Sequence, residues 1–162
     1  MASNAYLKLK SQKQGAIKGS VTQKGHVNSI IVIATRHEIS SPRDAASGRA
    51  TGKRTHGRLV ITKELDQSTP LLYNALVNNE TLTEWELQFW RGTAVGAEEH
   101  YYTIKLTDAS VASIEFVQPN ARDPELAKTP EYETVAFIYQ KIEWTWVKGG
   151  ITAVDDWHAP TG

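Results

Sequence analysis

The chain contains no cysteine. That excludes disulfides, thiolate metal centres and cysteine nucleophiles, and it leaves the redox compartment open. Net charge is absent as well: Lys plus Arg and Asp plus Glu each number 18. Nothing global therefore draws the protein to nucleic acid or to an anionic membrane, and little charge repulsion opposes self-association. Long hydrophobic runs are missing. The longest, Ile30 to Ala34, is far too short to cross a bilayer, so stable membrane insertion is not expected. The opening Met1-Ala-Ser-Asn-Ala-Tyr-Leu-Lys lacks the apolar stretch of a cleavable signal peptide. The expectation is synthesis in the cytoplasm and, for a protein that is exported, secretion without a cleavable signal peptide.

What the chain does have is β-forming residues. Five Trp and six Tyr accompany many Val, Ile and Thr. Its 162 residues, without repeat, low-complexity tail or linker, suit a single domain over 1–162. Period-two alternation predicts about eight strands. Leu7 and Leu9 alternate with Tyr6, Lys8 and Lys10. Along Val27 to Ile39, Ile31, Ile33 and Ile39 share one face, and Val32, Ala34, Arg36 and Glu38 share the other. Leu59, Ile61 and Leu65 alternate with Arg58, Val60, Thr62 and Glu64; Trp85, Leu87 and Phe89 with Glu86, Gln88 and Trp90; and Tyr102, Ile104 and Leu106 with Thr103, Lys105 and Thr107. Ala112, Ile114 and Phe116 make a further strand. Ile138, Ile142, Trp144 and Trp146 make another, and Ile151 to Trp157 adds one more. Strands with one apolar and one polar face describe antiparallel sheets closed over a core, a mainly β two-sheet barrel or sandwich.

One segment breaks the pattern. In Asp66-Gln-Ser-Thr-Pro-Leu-Leu-Tyr-Asn-Ala-Leu-Val-Asn-Asn, Ser68 or Thr69 can cap a short α-helix and Pro70 suits its first turn. Asn78-Asn79 suit its exit, and Leu72 and Leu76 would fix one face to the barrel. Two irregular stretches remain, 40–57 and 118–130. The second, with Pro119, Pro124 and Pro130, has no assigned role.

The first stretch carries Arg43, Arg49, Lys53 and Arg54 against one acid, Asp44, with His56 at its end. It reads either as an anion-binding or partner-docking loop or as a solvated excursion. Gly52-Lys53 does not make a phosphate-binding loop: the position five before Gly52 is Ser47, and Arg54 stands where a hydroxyl would hold magnesium. His26, His37, His56, His100 and His158 show no metal-ligand spacing. Adjacent Glu98-Glu99 and Asp155-Asp156 point to opposite strand faces, so neither pair serves as an acid/base dyad. No catalytic residue, metal or cofactor is nominated. Trp85, Trp144 and Trp146 share parity with aliphatic residues and are expected in the core. Trp90 lies on the polar face of its strand and is expected at a subunit contact.

Four segments taken in order resemble the haemolysin-coregulated protein (Hcp) family of type VI secretion systems along essentially the whole chain. They are Ala5-Tyr-Leu-Lys-Leu, the basic loop from Ser41 to Arg54, the run Leu59-Val-Ile-Thr-Lys-Glu-Leu-Asp-Gln-Ser-Thr-Pro-Leu-Leu, and Ile142-Glu-Trp-Thr-Trp followed by Gly149 to Trp157. The third is the most specific. The resemblance implies a phage tail-tube-like fold whose copies form hexameric rings, stacked head to tail into a tube inside a sheath. A spike tips that tube, a baseplate anchors it, and effectors ride in its lumen. It implies a structural role, not an enzyme. It matches the loop 40–57, with Arg43, Asp44, Arg49, Lys53, Arg54 and His56, to the family's extended ring-stacking loop. Arg36 and Glu38 are expected on the lumen or a ring surface. The competing reading is a monomeric β-barrel binding sugar or nucleic acid through exposed aromatics.

Overall fold

The computed structural model describes residues 3–157. Its strands run as β1 (Ala5–Ser11), β2 (Gly15–Ile17), β3 (Ile30–Val32), β4 (Ala34–Arg36), β5 (Ile39–Ser40), β6 (Thr55–His56) and β7 (Leu59–Glu64). After helix α1 (Thr69–Val77) come β8 (Leu82–Gly92), β9 (Glu98–Thr107), β10 (Ser110–Val117), β11 (Tyr132–Ile138), β12 (Lys141–Trp146) and β13 (Ile151–Asp156). All pairings are antiparallel. One sheet has the order β13-β12-β9-β8-β1-β2, with β3 also on β1; a second has the order β10-β11-β7-β4; β5 and β6 pair separately.

The two sheets face each other over one core. Trp85 of β8 is 1% exposed and meets Phe137 of β11 edge to face at 5.4 Å, a contact that joins the sheets through their largest apolar side chains. Leu7, Leu9, Leu87, Leu59, Ile61 and Val135 fill the space around them. The barrel expected from the alternation is not closed. Among the described residues the hydrogen-bonded order of the larger sheet runs from β13 to β2 and that of the smaller from β10 to β4, without returning on itself. The two meet at a corner where β3 leaves β1 and the chain continues through Ile33 into β4 against β7.

That corner corrects the reading of Val27 to Ile39 as one strand. Ile30 and Val32 are buried, whereas Ile31 and Ile33 are exposed. Apolar residues occupy both faces here, so parity alone does not choose between them. Pairing does: Ile30 lies opposite Leu7, Val32 opposite Ala5, and both partners face the core. Ile138 is likewise exposed, because the chain turns from one sheet to the other between β11 and β12 and buries Tyr139 instead. Phe116 is exposed near the end of β10 although it shares a face with Ile114, and Ala112 is the extra residue of a bulge that shifts the register of β10 on β11, so that Val111 is buried in its place. Trp146 is exposed too, contrary to its core assignment; it packs against Tyr101 and the Arg91 guanidinium. Trp144 packs on the core's margin.

Helix α1 starts where predicted, with Pro70 in its first turn, and buries Leu72 and Ala75, with Leu76 only partly covered. Ser68 occupies the cap position but turns its hydroxyl to Asp66. The helix is tied down from beneath. Lys63, fully buried on β7, donates to Glu133 Oε1 at 2.6 Å, to Thr69 Oγ1 at 3.2 Å and to the Glu64 carbonyl at 3.0 Å. It also lies 3.1 Å from Asp66. A short helix without intrinsic stability is thus clamped to both central strands of the smaller sheet. The stretch 118–130 forms an exposed loop around a single 3₁₀ turn, Pro124–Leu126, capped by Asp123.

Candidate functional site: a cationic arm and its root

The stretch 40–57 is an ordered hairpin, not a structureless loop. Its base is the β5–β6 pair, Ile39 opposite His56 and Ser40 opposite Thr55. Beyond it Arg43 bridges Ala50, the Asp44 amide donates to the Arg49 carbonyl at 2.8 Å, and Thr51 donates to Pro42 at 2.9 Å. The tip closes on Asp44, whose carboxylate accepts from the Ser47 amide and hydroxyl at 3.0 and 2.6 Å. These bonds hold its carboxyl below the ordinary aspartate range. Gly48 then takes a φ of +72°, which a side chain would strain. Asp44 is therefore held within the arm by neutral donors, and its one charge leaves the arm with an excess of cations. Arg43, Arg49 and Lys53 are exposed along it, with no ion pair to another described residue.

The root gathers residues far apart in sequence. Arg54 grips Asp155 of β13 with two bonds, Nε to Oδ2 at 2.6 Å and NH2 to Oδ1 at 2.8 Å, and reaches the Asp156 carbonyl at 2.8 Å. This fork-on-carboxylate geometry is the strong form of an ion pair. His56 joins Asp155 through Nε2 at 2.7 Å and the Tyr139 hydroxyl through Nδ1 at 2.6 Å; His37 Nε2 reaches the same hydroxyl at 2.8 Å. The Trp157 indole N–H donates to the Tyr139 carbonyl. The Gly57 amide donates to Glu38 at 2.8 Å, and a Cβ on Gly57 would come within 2.9 Å of that carbonyl, so only glycine fits the strand exit. Arg54 and His56, expected to share in the outward-facing set, thus hold the arm onto its own protomer. The arm's outward cations are the other three.

Charge follows this geometry. The bonds from Arg54, and then from His56, keep Asp155 ionised below the ordinary aspartate range. Burial raises the Tyr139 hydroxyl, and the Asp155 charge raises it further. Burial lowers His37, and the neighbouring His56 lowers it again. A histidine held below its unfolded value of 6.5 binds fewer protons folded than unfolded. Its contribution is therefore complete above 6.5 and is lost as pH falls from there towards the folded value. Urea unfolding between pH 7.5 and 5.5 should show stability declining with acid, and His37→Gln should flatten that decline. His100, also lowered by burial, contributes in the same direction. An unchanged slope in His37→Gln would refute the assignment.

The other expected site residues fall elsewhere. Arg36, at the end of β4, and Glu38, in the link from β4 to β5, are exposed. Trp90 is half-buried in a column within its own protomer, stacked on His100 at 5.0 Å and perpendicular to His26 at 4.7 Å; Tyr6 in turn stacks on His26. His158 lies outside the described residues. Sequence reasoning missed Lys63, Glu133, Tyr139 and the role of Asp155. The parity of Leu59 and Ile61 carries Lys63 inward, a signal that could have found it. The Tyr139 and Asp155 contacts join residues about a hundred positions from the arm and leave no local mark.

Two antiparallel sheets over one core, with a charged hairpin arm rooted on the larger sheet's last strand, define a β-rich fold. Known proteins specify it. Residues 6–146 match the family model described as type VI secretion system effector, Hcp. The major exported protein of Pseudomonas aeruginosa is 40% identical, with 99% of this chain and 98% of that protein aligned. A crystal structure of an Hcp protein superposes with a TM-score of 0.89 at 31% identity, over 97% of this chain and 99% of the other. The Hcp1 protein of E. coli EAEC 042 does so with 0.85 at 33% identity, over 96% and 99%. The chain belongs to the Hcp family.

Proposed function

We propose that the chain is a structural subunit of the type VI secretion inner tube. Copies close edge to edge into hexameric rings, the rings stack head to tail, and the tube leaves the cell by way of the apparatus, with effectors in its lumen. Spike, sheath and baseplate proteins are its further partners. The reading is carried by the nearly end-to-end likeness to Hcp structures.

The protomer's own surface supports it. Strand β13 ends the larger sheet, with no strand beyond it among the described residues, and its Ile151 and Val154 are 67% and 50% exposed. An apolar free edge of this kind invites strand addition in a lone protein and is satisfied when a neighbour covers it. Ring closure uses up such edges, whereas a head-to-tail contact does not close and propagates as a tube. In this reading Arg36 and Glu38 face the lumen or a ring surface, and the exposed part of Trp90 lies towards a neighbour.

The arm is assigned to the stacking step. Exposed ion pairs are worth at most about 1 kcal/mol each, so a junction relies on its repeated arms and stays reversible. Replacing Arg43, Arg49 and Lys53 together by Ala should leave ring mass unchanged and shorten tubes in electron micrographs several-fold. Tubes of parental length would remove the arm from stacking. Arg54→Ala belongs to a different class, since it loosens the root.

A further inference from the structure

The strand that feeds the arm begins in a groove. Ile31 and Ile33, exposed at the β3–β4 corner, and Leu65, just past β7, line a depression of about 400 Å³ with Glu64 and Asp66 at its rim. Exposed apolar side chains gathered in a concave site are unusual in a surface otherwise built to be wet. The charge beneath is negative. The Lys63 ammonium stands against two carboxylates, Asp66 at 3.1 Å and Glu133 at 2.6 Å, Glu64 adds another acid to the groove's lining, and Glu133 Oε2, fully buried, has no hydrogen-bond partner among the described residues. Among the described residues no cation lines the groove.

Groove and arm occupy opposite ends of β7. The arm's root closes at Gly57 on Glu38, and β4 runs antiparallel to β7 with Arg36 opposite Val60 and Ala34 opposite Thr62. From Gly57 to Leu65 an extended chain covers about 26 Å, while the arm reaches only about 20 Å beyond Ser40. The tip of an arm therefore falls short of its own groove. A second copy displaced along the direction of β7 meets no such limit. The tip is also of the right chemistry: Ala45, Ala46, Ser47 and Gly48 are small enough for a shallow apolar groove, and Arg43 and Arg49 flank them where they would meet Glu64 and Asp66.

We propose that this groove is the receptor for the arm of a second copy of the chain, with the Ala45–Gly48 tip seated on Ile31, Ile33 and Leu65 and the flanking arginines on the acidic rim. The proposal rests on the tube reading and names its stacking contact. It pairs unlike surfaces, so it extends indefinitely, as a tube requires.

The absence of native cysteine makes the test clean. Ala46→Cys and Ile33→Cys, both at exposed positions, are purified separately, mixed under assembling conditions and oxidised. The mixture should give a disulfide-linked species at twice the 18.0 kDa chain mass, in at least tenfold excess over either variant alone. In parallel, Glu64→Arg should shorten tubes, and a chain combining it with Arg43→Glu and Arg49→Glu should restore them. Tubes that form normally with Glu64→Arg and yield no cross-link would overturn the groove while leaving the tube reading intact. Loss of every ring and tube from the unsubstituted protein would overturn both.

Discussion

Replacing Lys63 by Met is expected to cost about 3–5 kcal/mol of unfolding free energy and to lower Tm by roughly 10 °C. Lys63 and Glu133 are both 0% exposed and 2.6 Å apart. Bringing the two charges out of water is costly, and their attraction offsets that cost only while both are present. Removal of the ammonium strands Glu133 in the core, with one carboxylate oxygen already without a partner among the described residues, and frees Thr69 and Asp66 at the start of α1. The loss should therefore exceed that of a simple packing change. The double variant Lys63→Met, Glu133→Leu should recover most of it, because apolar replacement of a whole buried pair is often neutral. Urea unfolding of the two variants checks both statements. Equal stability of Lys63→Met and the parent would mean that the cluster is not the clamp described.

The second large effect concerns the arm. Asp155→Ala removes the acceptor for two Arg54 bonds and one His56 bond and leaves two partly buried cationic or polar groups facing each other. A charge-assisted hydrogen bond contributes about 1.5–3 kcal/mol, so about 2 kcal/mol of local stability should vanish from the root. Amide exchange at Gly57 and along the β5–β6 pair should then quicken roughly 30-fold, with the core strands little changed. Asp155→Asn, which retains an acceptor without the charge, should fall between. Exchange at the arm indistinguishable from the parent would show that the arm is held by something else. The functional consequence follows from ordering entropy: an arm fixed in advance docks at less cost than one that must be fixed on contact. Stacking should therefore weaken in Asp155→Ala although no outward-facing cation has been touched.

Much of this architecture was legible in the chain, and the exceptions share a physical cause. Leu7, Leu9, Trp85 and Leu87 announce their strands because one face is apolar and the other polar. The helix announces itself through Pro70 and the break in alternation. Alternation fails where apolar residues sit on both faces, as in Ile30 to Ile33, and where a bulge or corner changes the parity, as at Ala112 and between Ile138 and Tyr139. Composition singled out the arm, since four cations around glycines stand out against a neutral chain. It did not separate Arg54, which is folded inward, from Arg43, Arg49 and Lys53, which are not. That distinction depends on Asp155, brought to the arm by the last strand of the larger sheet. The groove was hidden for the same reason, because Ile33 and Leu65 become neighbours only when β4 lies against β7.

Self-association is the claim on which the functional account stands, and molar mass in solution tests it most directly. Light scattering coupled to size-exclusion chromatography should return about six times the 18.0 kDa of one chain over a broad concentration range. A single chain at every concentration and salt, with its apolar β13 edge uncovered, would contradict it.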